Sequence, residues 1–403
     1  MRVGTPGFSG SRLREAREAR GVSVISLSER TGVSAQAIYQ YENDRRSPSS
    51  DVLEKIASAV DLPTAFFLLP QRPETSTPIF YRSMSSATKA ARNRAEGRFR
   101  WLQDIVRYLT DFVALPEANF PRLDLPDDPI RISNDEIEQA AEEARRYWRM
   151  GDGPIANMVL LLENQGAIIA RDRLEAASLD GLSQYVAGDE RPYVVIGIDK
   201  GSPARWRFDA AHELGHMLLH ANVRREELDR PEMHKQIERQ AHHFARAFLL
   251  PLASFGDDLF GVNLDAFRAL KPKWNVSIQA MIFRAKDAGF LSEDTERKLR
   301  ISISRRKWTI TEPYDETTEI EEPRLLRRSF ELILNEGEQT AADIASRIGL
   351  LPSDIEVLSA LPHGYLATYS PVSLLSRHRE SPTEHDDVEK VAKVIGIRKA
   401  SCR

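Results

Sequence analysis

The sequence predicts a mainly α-helical protein with a small α+β core, an all-α N-terminal bundle and a helical C-terminal region. Two observations support this fold class. Apolar residues recur at helical spacing along most of the chain, as at Leu53, Ile56 and Val60. Short β-branched runs that are typical of strands cluster between residues 167 and 198. The length of 403 residues suits about two or three domains.

Composition excludes several classes of protein. A content of 41% apolar and 29% charged residues is ordinary for a soluble globular protein. The net charge of −4 provides no overall attraction to nucleic acid, so such a contact needs a local basic patch. The single cysteine, Cys402, excludes a disulfide framework and a cysteine zinc site. No apolar run approaches membrane-spanning length and no signal sequence is evident, so we expect a cytoplasmic protein without membrane partners.

Residues 11–69 predict four short helices. Ser23 and Ser34 are suited to cap the second and third helices, because a serine oxygen accepts a hydrogen bond from a free backbone N–H. Gly32 lies between these helices, at the tight corner where glycine is favoured. We expect the third helix to begin at Ala35, with Ile38 as its anchor in the core.

This run of residues, Gly32-Val33-Ser34…Ile38…Tyr41-Glu42-Asn43…Arg46-Ser47-Pro48, resembles the Xre/Cro-type helix-turn-helix DNA-binding domain. The resemblance assigns residues 1–70 to such a domain, with a double-stranded DNA operator as its partner. In that fold the third helix lies in the major groove. Four residues would then meet the bases and three the phosphates: Ala35, Gln36, Tyr39 and Gln40, followed by Asn43, Arg45 and Arg46.

Two further expectations accompany this domain. A homodimer is expected, because such domains usually read paired half-sites. The alternative to DNA binding is a four-helix module for protein interaction or dimerisation, since the charge of the domain is nearly balanced. Residues 71–132 follow as a polar linker (71–80), a long helix near 85–113 and a proline-rich extended strap.

A capping box at Ser133-Asn-Asp-Glu136 begins the next predicted helix, and a short apolar helix near 155–165 follows. Strands are predicted at 167–171, 182–186 and 193–198. The last of them leads into His212-Glu213-Leu-Gly-His216. On a helix, residues four apart share a face, so both imidazoles can reach one metal ion, with Glu213 beside them as a base for the attacking water. The alternative is a helix with incidental histidines.

A catalytic zinc site needs a third protein ligand and an open position. Glu238 is favoured, because its carboxylate lies on an apolar helical stripe where an unpaired charge would be costly. His242, one turn further on, is the competitor. His220 is interpreted as a polar residue of the last helical turn that interacts with the helix dipole, because three successive turns of one helix span too much length to converge on one ion.

The pairing of these two helices resembles the ImmA/IrrE family of metallopeptidases; the second helix reads Glu238-Arg-Gln-Ala-His242-His-Phe-Ala-Arg-Ala-Phe-Leu-Leu-Pro251. The resemblance makes residues 133–290 a zinc-peptidase core, with His212, His216 and Glu238 as ligands of Zn²⁺ (or another divalent metal) and Glu213 as catalytic base. His242 departs from the family, which more often has Asn or Asp there. Members often cleave a repressor that silences stress, mobile-element or prophage genes.

The resemblance therefore predicts a DNA-binding regulator fused to an endopeptidase that acts on a repressor, another regulatory protein or itself. The alternative is a non-hydrolytic transcription factor whose metal domain senses a ligand or scaffolds a partner. For the peptide, we expect an edge strand including Val194, Val195 and Ile196. Tyr185 and Tyr193 are candidates for oxyanion contacts, although either could simply be buried or interfacial.

Residues 291–403 are predicted to form a mostly helical module. Its run Thr340-Ala-Ala-Asp-Ile344-Ala-Ser-Arg-Ile348-Gly349 has a second helix-turn-helix pattern, which we interpret as helical packing. Residues 377–387 are polar, and a short helix is predicted near Val388 to Ile395.

Overall fold

The computed structural model describes residues 4–70, 77–82, 88–175, 179–199, 201–228, 230–337, 339–368 and 396–397. Within these residues the predicted fold class is confirmed, since helices surround a small sheet. The predicted segments 377–387 and 388–395 lie outside the described residues. Among the described helices, none combines the length and the apolar character that a membrane span requires.

The N-terminal bundle begins with capped helices, as predicted. The hydroxyl of Ser23 accepts a hydrogen bond from the N–H of Ser26, and that of Ser34 accepts one from Ala37. Gly32 adopts a φ of 69°, which a residue with a side chain rarely adopts. The four helices are α1 (Gly10–Ala19), α2 (Val24–Thr31), α3 (Ala35–Glu42) and α4 (Ser50–Ala59).

The segment after this bundle contains a strand that the sequence did not predict. Residues 71–80 were expected to form only a linker, but Phe80 begins strand β1 (Phe80–Arg82). A run of three strand residues is too short to show the alternation that identifies a strand. The long helix α5 (Lys89–Thr110) and the short strand β2 (Val113–Ala114) follow.

Four strands form the main sheet in the order β1-β4-β5-β3, and the other three are β3 (Ile168–Asp172), β4 (Gly181–Val186) and β5 (Arg191–Gly197). β5 pairs parallel with β3 and antiparallel with β4, so neighbours use both of its edges. The expectation of an edge strand at Val194, Val195 and Ile196 is therefore wrong. All three side chains are buried, and their backbone groups belong to the sheet, where no substrate peptide can pair with them.

Helices cover the sheet on both sides. Two helices precede β3 in the chain, α6 (Asn134–Tyr147) and α7 (Met158–Asn164). Those that follow β5 are α8 (Pro203–Leu219), α9 (Arg225–Leu228), α10 (Pro231–Leu249), α11 (Leu252–Asp258), α12 (Leu264–Trp274), α13 (Ile278–Asp287) and α14 (Glu293–Arg305). The C-terminal elements are α15 (Leu325–Glu336), α16 (Ala341–Ile348), α17 (Pro352–Leu358), α18 (Tyr365–Thr368) and β6 (Gly396–Ile397), which pairs with β2.

The sheet separates two apolar cores. Alternate residues of β5 point to opposite faces, so Tyr193 and Val195 join one core while Val194 and Ile196 join the other. The first core combines the N-terminal bundle, α5 and the C-terminal helices α15–α17. The second core combines α6–α8 with α10–α14 and contains the motif-bearing helix. The first apolar core thus extends across all four segments predicted from the sequence.

Candidate metal centre and helix-turn-helix face

Helix α8 presents the His-Glu-x-x-His residues toward helix α10. The hydroxyl of Ser202 accepts the N–H of Arg205 at the start of α8, and Pro203 occupies the first turn. His212, Glu213 and His216 are all buried. The Nε2 atoms of His212 and His216 lie 3.0 Å apart, as expected for imidazoles one turn apart on one helix face.

Helix α10 supplies the third polar group, Glu238. Its Oε1 lies 3.1 Å from His216 Nε2, and its Oε2 lies 3.6 Å from His212 Nε2. Gly215 makes this approach feasible, because a Cβ at that position would lie 3.2 Å from the Cα of Ala241 on α10. Among the described residues, His212, His216 and Glu238 form a group whose ligand atoms all lie within 4.8 Å of one another.

The competing ligand, His242, lies outside this group. Its ring packs against His212, with centroids 4.5 Å apart, and stacks on Phe208 at 5.8 Å. His242 therefore supports the orientation of the His212 imidazole from the side. The choice of Glu238 over His242 remains a prediction for the bound metal, and the positions of the donor atoms favour it.

Glu238 carries a negative charge in this setting. Burial alone would raise the pKa of its carboxyl, but the imidazoles of His212 and His216 that face it outweigh burial and lower the pKa well below its usual value. A carboxylate and two imidazoles are the donor set of many catalytic zinc sites. The chemistry of these donors therefore fits a zinc ion or another divalent cation.

A hydrogen-bond chain behind His216 determines which of its nitrogens faces the group. The Nε2 amide of Gln240 donates to the carbonyls of Pro129 and Ile132, at 2.7 and 3.1 Å. Gln240 Oε1 must then be the atom 3.0 Å from His220 Nε2, so this nitrogen is the donor. His220 Nδ1 is left as the acceptor for His216 Nδ1–H, 3.1 Å away.

It follows that the Nε2 atom of His216 directs a lone pair toward His212 and Glu238. Facing electron-pair donors repel one another unless a cation or a proton lies among them, which also favours metal binding. Burial and then the neighbouring His216 lower the pKa of His220 to about 3, so His220 remains neutral. The interpretation of His220 as a dipole-stabilising residue misses this role. Its spacing of four from His216 was the available signal, whereas nothing in the sequence singles out Gln240.

Glu213 lies beside the start of strand β4. A Cβ at Gly181, the first residue of that strand, would lie 3.4 Å from Glu213 Oε1. The missing side chain of Gly181 therefore leaves space next to the carboxylate. Any peptide that approached the proposed base would meet the backbone of β4 here.

The two tyrosines predicted to contact an oxyanion occupy different environments. Tyr193 is buried on the sheet face away from α8, where its hydroxyl donates to Asp189 at 2.5 Å. Burial, followed by the carboxylate of Asp189, raises the pKa of Tyr193 well above its usual value. Its proposed oxyanion contact is therefore wrong, because the sheet lies between Tyr193 and the histidines of α8. Tyr185 is 47% exposed, four residues along β4 from Gly181, and its role remains a prediction.

The predicted DNA-reading residues lie on an accessible face of the N-terminal bundle. All of them are exposed except Gln40, which is half-buried: Ala35, Gln36, Tyr39, Asn43, Arg45 and Arg46. The guanidinium of Arg45 lies 5.9 Å from the ring centroid of Tyr39. Arg14 donates to Asn43 Oδ1 at 2.9 Å and adds a further cation beside this face, which the sequence analysis did not identify. Whether these residues contact DNA remains a prediction.

Comparisons with known proteins match two parts of this chain. Residues 13–67 match the helix-turn-helix family, and residues 163–286 match the IrrE N-terminal-like domain family. The second match contains α8, α10 and strands β3–β5, whereas β1 lies outside it. Both resemblances drawn from the motifs are thereby confirmed.

Several relatives are HTH-type transcriptional regulators. A putative one from Methanocaldococcus jannaschii is 50% identical over 56 residues, which are 14% of this chain and 18% of the relative. The regulator SutR of Escherichia coli is 35% identical over 80 residues, 20% of this chain and 44% of SutR. An uncharacterized regulator of Mycobacterium tuberculosis is 47% identical over 51 residues, 13% and 36% of the two chains. This chain spans less than half the length of each relative. On the two family matches, the chain combines a helix-turn-helix domain at residues 13–67 with an IrrE N-terminal-like domain at residues 163–286.

Proposed function

We propose that this protein is a DNA-binding transcriptional regulator that also acts as a metal-dependent endopeptidase. Its substrate would be a repressor, another regulatory protein or the chain itself, in response to stress or a mobile-element signal. The convergence of His212, His216 and Glu238 beside Glu213 is the observation that carries the enzymatic part. The family match at residues 163–286 supports it.

In the proposed mechanism, His212 Nε2, His216 Nε2 and the Glu238 carboxylate would hold the cation, preferably zinc. When bound, the ion supplies Lewis acidity to the site. Glu213 accepts a proton from the water that attacks the peptide carbonyl and returns that proton to the leaving amine. The chain from Gln240 through His220 keeps the His216 ring in the required tautomer and orientation.

On the DNA side, helix α3 would enter the major groove. Gln36 and Gln40 are one turn apart, and a glutamine amide can bond adenine through two hydrogen bonds. Arg45 and Arg46 would bind phosphates and set the register of the domain on the duplex. The exposure of this face supports the proposal, because no other part of the described chain covers it.

The proposal is tested first by metal content. Protein purified without added metal should contain about one zinc per chain by elemental analysis, and Glu238→Ala should lose it. Glu232→Ala, on the exposed first turn of the same helix, is the matched control and should keep the metal. A wild-type protein that binds DNA but no metal would favour the non-hydrolytic transcription factor.

A further inference from the structure

Strand β1 occupies the one edge of β4 that another chain could use. β4 pairs with β5 on its other side, so a peptide that entered the sheet beside Glu213 would have to replace β1. β1 runs antiparallel to β4, with Phe80 opposite Ser183 and Arg82 opposite Gly181. Extended peptides add to sheet edges by the same backbone hydrogen bonds.

The side chain of Phe80 covers the metal group. Its ring is stacked on the imidazole of His216, with centroids 4.9 Å apart and planes 15° apart. The ring also lies 6.2 Å from His220. It enters an apolar pocket that follows the motif helix, formed by Val223, Leu228, Met233 and Ile237. An aromatic side chain of this chain thus occupies a pocket that adjoins the proposed ligands.

The contacts that hold β1 on this side are few. Phe80 and its four partners form a small cluster, separate from both large cores. Thr77 adds two hydrogen bonds. Its hydroxyl donates to the Tyr185 carbonyl at 2.6 Å, and its own carbonyl accepts from Gln184 Nε2 at 2.7 Å. The strand has three residues, and β1 lies outside the IrrE N-terminal-like match. On its other face, Tyr81 is buried in the first core and its hydroxyl donates to Glu96, so two rings hold β1. A strand of only three residues can still exchange with a competing peptide more readily than the longer strands of the sheet.

We propose that residues 77–82 are an internal competitor that occupies the peptide-binding edge and keeps the metal centre closed. The substrate is then an extended peptide that pairs antiparallel with β4 and places an aromatic or large apolar side chain in the Phe80 pocket. This inference rests on the proposed peptidase function. It adds the substrate class and a means of regulation, because activity requires β1 to leave β4.

The test measures access to bound zinc and therefore does not depend on hydrolysis. Zinc-loaded protein is mixed with excess EDTA and the rate of zinc loss is recorded, with wild type compared to Phe80→Ala. We expect zinc loss to be about tenfold faster in Phe80→Ala, because the burial of one phenylalanine shifts an equilibrium by at least that factor. Leu299→Ala is the control, since Leu299 is equally buried but lies in the second core.

Two further measurements connect access with peptide binding. A synthetic peptide with the sequence of residues 77–82 should slow zinc loss from Phe80→Ala but not from wild type. Tyr81→Cys combined with Leu182→Cys, at positions directly opposed across β1 and β4, should give a disulfide in a Cys402→Ser background. The oxidised protein should lose zinc more slowly than wild type, and reduction should reverse this.

The outcomes separate the two proposals. If wild type binds no zinc, the peptidase function fails. If zinc binds but Phe80→Ala and the disulfide leave its loss unchanged, the internal competitor is wrong while the metal centre stands. Cleavage of the chain within residues 77–82 would overturn the competitor in another way, because the strand would then be a substrate.

Discussion

The candidate functional side chains are exposed in the helix-turn-helix bundle and buried in the metal centre. In the bundle, the candidate DNA-reading side chains project from one helix into solvent; Tyr39, for example, is 53% exposed. In the metal centre, His212, Glu213 and His216 are buried, and Glu238 reaches them from another helix. Exposed polar groups contribute little to folding, whereas buried ones destabilise the fold unless hydrogen bonds or a cation satisfy them. Function can therefore change in the bundle without loss of stability, but in the metal centre the two are linked.

The largest expected effect separates chemistry from structure within the metal centre. Glu213→Gln should lower the hydrolysis rate by about 10²- to 10⁴-fold, because the amide cannot accept the proton of the attacking water. Metal content and DNA affinity should remain unchanged. The rate is measured by mass spectrometry on a peptide library prepared from denatured protein. The double variant Phe80→Ala, Glu213→Gln is compared with Phe80→Ala, which retains Glu213. Undiminished cleavage in the double variant would exclude Glu213 as the base.

The second prediction asks whether the two regions unfold independently. Asp354 on α17 pairs with Arg20 of the bundle at 2.6 Å and with Arg98 of α5 at 3.2 Å, and Arg98 also pairs with Asp172 of β3. Asp354→Ala should lower the free energy of unfolding by about 3 kcal/mol, because the buried guanidinium of Arg98 and the half-buried one of Arg20 lose a shared partner. Denaturant unfolding followed by CD measures the loss, with exposed Asp51→Ala as control. A loss below that of Asp51→Ala would show that the regions are independent.

A third prediction sharpens the difference by altering a residue that never touches the metal. Gln240→Leu should weaken zinc binding by about 10- to 100-fold, because His220 loses its acceptor and the His216 ring its fixed tautomer. Competition with a chelating dye measures the affinity. Gln236→Leu, one turn earlier on α10, should bind zinc as wild type does. Equal zinc affinities for both variants would show that the hydrogen-bond chain from Gln240 through His220 has no part in metal binding.

The smallest effects are expected on the exposed face of the bundle. Gln36→Ala should reduce discrimination between the preferred operator and its adenine substitutions by about 1 kcal/mol. Arg46→Ala should instead weaken binding to all duplexes and reduce the slope of log affinity against log salt by about 1. Duplexes selected from a random pool provide the probe, and fluorescence anisotropy provides the affinity. Both variants should keep a wild-type melting temperature; a lower one would contradict the comparison of the two regions.

Local spacing made several features predictable. Ser23, Gly32 and Ser34 determine where helices begin and turn, and each acts within a few residues of the chain. The same holds for His212 and His216, because one helical turn brings them together whatever surrounds them. Glu238 was accessible to the same reasoning, since a carboxylate on an apolar stripe requires a partner.

Long-range pairing decided the rest. Strand β5 has an apolar run that would suit either an edge or an interior strand, and only the arrival of β3 and β4 on its two sides makes it interior. β1 joins the sheet from about a hundred residues earlier in the chain.

The sequence by itself therefore determined the helices, the two motifs and the residues that could bind metal. The tertiary structure decided how Phe80 covers His216, how Gln240 selects the tautomer and which strand edge is available to a peptide. The physical reason is that helices and caps depend on neighbours within about four residues, whereas strand pairing and ring stacking depend on groups that only folding brings together.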